Sequence, residues 1–65
     1  MDKKKMQLFY FAREKIRHIS WNLNEYIQLT DKGIDNKTRL TDNQILTFID
    51  ENDDGWILLD EVNIH

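Results

Sequence analysis

KKMQLFYFAREKIRHISWNLNEYIQL, Lys4 to Leu29, is the stretch on which the expected fold turns. It contains no Gly or Pro, and Phe9, Ala12, Ile16, Ile19, Leu23 and Tyr26 recur at alternating steps of three and four, which lines one side of a helix. The opposite side carries Glu14, Arg17, Glu25 and Gln28, with Tyr10 and Trp21 among them. The spacing predicts an amphipathic helix over residues 6–29. A bend, or a break into two shorter helices, is expected near Ser20 to Asn24, where Ser, Trp and Asn have middling helix propensity. Lys3 to Lys5 oppose the positive end of the helix dipole, so residues 1–5 are expected to be loose.

Next along the chain, TDKGIDNKTR (Thr30 to Arg39) places Gly33 among Asp and Asn at turn positions and predicts a connecting loop over 30–40. In LTDNQILTFID, Thr41 can cap the N–H of Gln44, Gln44 can reach back to Thr41, and Leu40 can pack on Ile45. A helix is expected from Asp42, presenting Ile45, Leu46, Phe48 and Ile49 to a core. The expected fold is therefore all-α, one small domain: a long helix, a loop, and a unit over 41–65.

The 65 residues bound the chain to a small core, near the size at which a metal or a partner helps a fold to stand. Without cysteine there is no disulfide, thiolate site or cysteine nucleophile. The net charge of −3 is ordinary, but its distribution is not: residues 41–65 hold seven acids and no Lys or Arg, whereas residues 1–20 hold six Lys/Arg against two acids. Arg13, Glu14 and Lys15 cut the first apolar run too short for a secretory signal, and no stretch is long enough to span a membrane. A cytoplasmic protein with no membrane or nucleic-acid partner is expected. Three lysines make too small a basic patch for nucleic acid. His18 lacks a second His or Cys at zinc spacing, and on a helix it would not face Ser20, so neither a zinc site nor a nucleophile–base pair is expected. No enzyme is predicted. Trp21 and Trp56 are expected in the core.

The acid is concentrated in DENDDGWILLDE, Asp50 to Glu61. Counting Asp50 as position 1, oxygen-bearing side chains stand at 1, 3 and 5 (Asp50, Asn52, Asp54), Gly55 at 6, Ile57 at 8 and Glu61 at 12. Calcium is a hard cation that takes six to eight oxygens, and a tight loop can aim alternate residues at one centre. Glycine permits the sharp turn, and unneutralised carboxylates in so small a volume would repel one another. The pattern DxNxDGxIxxxE, with the preceding LTDNQILTFI, resembles the calmodulin-type EF-hand over Leu40 to Val62. The resemblance implies a helix–loop–helix with a short exiting helix. It implies Ca2+ held by Asp50, Asn52, Asp54, the carbonyl of Trp56 and both carboxylate oxygens of Glu61.

Leu58 at position 9 lacks a side-chain oxygen, so a water would serve there. Such loops usually pair through position 8. REKIRHISWNLN cannot be a second loop, so either the first helix replaces the partner or two chains associate. Three acidic ligands and one amide imply dissociation at ~10⁻⁵ to 10⁻³ M. The expected function is calcium binding, stabilising the fold or tuning a partner surface. The alternative is a small interaction or inhibitor protein, encoded by a mobile element, whose acidic half or apolar stripe meets a larger protein. The bland account of the loop is a solvated acidic turn. A protein partner or a homodimer is expected.

Overall fold

The computed structural model describes residues 1–59. It overturns the all-α expectation. The elements run α1 (Lys3–Phe11), β1 (Ile16–His18), β2 (Ile27–Thr30), β3 (Gly33–Asn36), α2 (Asp42–Glu51) and β4 (Trp56–Leu58). The four strands form one antiparallel sheet in the order β3-β2-β1-β4, so the molecule mixes helix and sheet.

The long helix over 6–29 ends at Phe11. Ala12 is its C-cap, and Arg13 stands next at φ 68°, the left-handed conformation that reverses the chain. The Arg13 N–H donates to Tyr10 O at 3.0 Å and the Glu14 N–H to Phe9 O at 3.1 Å, the two bonds that close a Schellman cap. Lys3 to Lys5, expected to be loose, form the first turn of α1. Asp2 is the N-cap of α1 and accepts from the Lys5 N–H at 2.8 Å.

Beyond the cap the chain becomes strand, because residues that share the helical spacing have different neighbours. Ile16 pairs with Ile27 on one side and Leu58 on the other, and its side chain is fully buried. Ile19 and Leu23, on the same supposed helical face, are 67% and 69% exposed. Within the expected loop over 30–40, β3 completes a hairpin with β2. Thr30 pairs with Gly33 across Asp31 and Lys32, Gly33 stands at φ +107°, and Thr30 Oγ1 accepts from the Lys32 N–H at 3.2 Å.

The helix at Asp42 forms as its start signal predicts. Thr41 Oγ1 accepts from the Gln44 N–H at 3.2 Å and Gln44 Oε1 from the Thr41 N–H at 2.8 Å. Leu40 packs against the core that contains Ile45.

The core consists of Met6, Ile16, Trp21, Ile27, Ile45 and Trp56, with α1 packed on β1, β2 and β4. Both tryptophans are thus core residues. Arg17 faces the other side of the sheet from Ile16 and is 4% exposed; its Nη2 donates to Trp21 O, and its Nε has no hydrogen-bond partner among the described residues. Glu25 ties the β1–β2 connection to the β3–α2 connection. Its Oε1 accepts from the Asn22 N–H at 2.8 Å, and its Oε2 from the N–H and Nε of Arg39 at 3.1 and 3.3 Å.

Candidate cation loop

The acidic segment leaves the end of α2, turns at Gly55 and enters β4. Over the described residues it runs helix, loop and strand, with the apolar WIL run drawn into the sheet. The expected exiting helix and Glu61 lie outside the described residues. β4 pairs with β1 in the register Ile16↔Leu58, Arg17↔Ile57 and His18↔Trp56. A strand of the same chain therefore pairs with loop positions 7 to 9. Neither a long first helix nor a second chain takes that place.

Gly55 stands at φ +89°, and a Cβ added there would lie 2.6 Å from His18 Nε2. Only glycine suits both the conformation and the space. His18, which nothing in its local sequence marks, holds this turn. Its Nε2 lies 2.9 Å from Asp54 O, and its Nδ1 lies 3.1 Å from the Ser20 amide nitrogen and 2.8 Å from Ser20 Oγ. The Ser20 N–H requires Nδ1 to accept, so Nε2 carries the proton and donates to Asp54 O. His18 and Ser20 do meet, contrary to the helical expectation, because they lie on a strand end and a turn.

Four of the five predicted ligands lie among the described residues. Asp50 and Asp54 expose their carboxylates, Asp54 at 81%. Asn52 caps α2, and its Nδ2 donates to Phe48 O at 2.8 Å, which leaves Oδ1 as the free oxygen. The Trp56 side chain is fully buried. Its Nε1 donates to Asn52 O at 2.9 Å, and its ring meets His18 edge-on at 4.9 Å, Trp21 at 5.7 Å and Phe48 at 5.8 Å.

The Trp56 backbone turns the other way. β4 bonds to β1 through Gly55 O, which accepts from the Ile19 N–H at 2.8 Å, and through the Leu59 N–H, which donates to Lys15 O at 2.9 Å. In an antiparallel ladder this alternation leaves the N–H and C=O of Trp56 on the far edge. There the Trp56 N–H donates to Met1 O at 3.1 Å and the Met1 amino group donates to Trp56 O. That amino group also lies 3.9 Å from Asp54 Oδ1.

Lys3 completes the arrangement. Its N–H donates to Asp53 O, and its Nζ donates to Asp50 O at 2.9 Å. The last turn of α2 carries Asp50 and Glu51 and no basic residue, so Lys3 supplies the positive charge that a helix C-terminus favours. Nothing in the local sequence marks Met1 or Lys3 as part of this loop. The only signal was the contrast between a basic start and an acidic loop.

The candidate donors are all oxygens: two carboxylates, an amide oxygen and a backbone carbonyl, a set that suits a hard cation. Among the described residues no three His, Cys, Asp or Glu side chains converge into a metal-binding group. The carbonyl of Trp56 already faces one positive charge, the amino group of Met1. No family model matches the chain, and no curated protein and no solved structure matches it. Among the described residues no helix is long and apolar enough to cross a membrane.

Proposed function

We propose that this protein binds one calcium ion in the loop Asp50 to Glu61, and that the ion stabilises the junction of α2 with the sheet. The observation that carries this reading is the pairing of Trp56–Leu58 with β1, which gives positions 7 to 9 the strand partner such a loop otherwise takes from a second loop. The left-handed turn at Gly55, sixth in the loop, supports it. Asp50, Asn52 Oδ1, Asp54 and the Trp56 carbonyl would hold the ion, with Glu61 as the closing ligand. The ion supplies charge neutralisation and no reaction step. Its entry exchanges one cation for another at Trp56 O, since the amino group of Met1 must give way there.

Binding would add to folding stability, by about 2.7 kcal/mol at a hundred times the dissociation constant. The test is terbium titration with indole excitation, beside melting curves in chelator and in millimolar calcium. Emission should be sensitised through Trp56, competed away by calcium and lost in Glu61→Gln. An unchanged melting temperature together with no sensitised emission would overturn the proposal.

A further inference from the structure

We propose that the groove between α1 and α2 is a self-association surface, on which a second copy of this chain docks with its α1 over α2 of the first. The groove is lined by Met6, Tyr10 and Phe11 of α1, Ile34 of β3, and Leu46 and Ile49 of α2, with Gln7 as its polar liner. It encloses about 190 Å³. Phe11 and Leu46 at its margins are 70% and 57% exposed, and Leu8, one turn before Phe11 and Ala12, is 72% exposed. Large apolar side chains gathered round an apolar hollow mark an interaction surface rather than scattered surface residues.

The charges beside the groove indicate the occupant. α1 carries Lys3, Lys4 and Lys5 and no acid, whereas α2 carries Asp42, Asp50 and Glu51 and no Lys or Arg. Lys4 stands one turn before the exposed Leu8, and Asp42 and Asp50 stand one turn to either side of the exposed Leu46. Lys4, Lys5, Asp42 and Asp50 form no ion pair among the described residues. The Tyr10 hydroxyl, in the groove wall, is held above its ordinary pKa first by burial and then by the charge of Asp42, which stands one turn before Leu46.

A partner of one sign would be drawn to one helix and repelled by the other. A copy of the same chain, rotated about a two-fold axis along the groove, lays its basic helix on the acidic one and its acidic helix on the basic one, and both apolar margins are covered. This inference does not depend on the calcium loop.

The test is sedimentation equilibrium of the full chain in chelator, with circular dichroism to verify folding. The wild type should dimerise, more weakly as salt rises. Leu46→Lys should be a folded monomer. Lys3 sets the start of α1 beside the end of α2, so the two-fold brings Lys4 of one copy over Asp50 of the other. Lys4→Glu and Asp50→Lys should each weaken dimerisation by roughly tenfold or more, because each places like charges on facing helices twice. An equimolar mixture of these two variants should dimerise close to wild type, since every facing pair is then again opposite in sign. A wild type that stays monomeric into the millimolar range overturns the proposal. Charge variants that dimerise like the wild type, or a mixture that fails to recover, overturn it equally.

Discussion

Arg13 occupies a left-handed conformation, φ 68°, that costs any residue with a Cβ roughly 1 kcal/mol. The helix stops there because the two capping bonds to Phe9 O and Tyr10 O require that conformation, and Arg13 tolerates it. Arg13→Gly should therefore be more stable than Arg13→Ala by about 1 kcal/mol, as both lose the exposed ion pair with Asp31 and only glycine relieves the strain. Urea unfolding of the pair checks this, and equal midpoints would refute it.

Glu25 offers a second test at the same scale. The Asn22 N–H holds its carboxyl below the ordinary range, with Arg39 assisting and burial opposing. A folded-state value below the unfolded one means that the stabilisation is present above the unfolded value, about 4.3 for glutamate, and is lost as the pH falls through the folded value. The stability advantage of wild type over Glu25→Gln should accordingly be full at neutral pH and shrink in acid. Urea unfolding across a pH series measures it. An advantage independent of pH would remove this account of the carboxylate.

Among the elements, α2 is legible in the sequence and the sheet is not, for a physical reason. The capping signals of α2, Thr41 and Gln44, act within one turn and need no knowledge of the rest of the chain. The strand β1 is three residues long and every one of them is buried, so the alternation that betrays a strand is absent from it. Its neighbours Ile19 and Leu23 fall by coincidence on a helical spacing, and no glycine announces the stop at Arg13.

The β2–β3 hairpin does leave a trace. Ile27 and Leu29 alternate with polar residues, Asp31, Lys32 and Gly33 come next, and Ile34 resumes, which is a hairpin signal that turn residues alone also allow to be read as a loop. For the candidate site, local spacing finds the acidic residues and Gly55. His18, Lys3 and Met1 reach the loop only through pairings across 36 or more residues, which no local pattern encodes.

In the whole molecule, Trp56 joins the two halves. It closes the aromatic cluster with His18, Trp21 and Phe48, and its strand pairs with β1 on the side away from β2. Truncating so large a buried ring costs about 3 to 5 kcal/mol. Domains of ordinary size have only about 5 to 15 kcal/mol to lose, and small ones sit near the lower end. Trp56→Ala should consequently lack a cooperative melting transition at neutral pH. A sharp transition within a few degrees of the wild type would show that the sheet closes without it.

The strand order also has a consequence for synthesis. β1, central in the finished sheet, is complete by His18, but its second neighbour arrives only with Trp56 to Leu58. A ribosome that has not yet released those residues holds a nascent chain in which β1 is still a bare edge, available to any other extended segment nearby. Premature termination anywhere between β3 and β4 would leave that edge permanently unsealed.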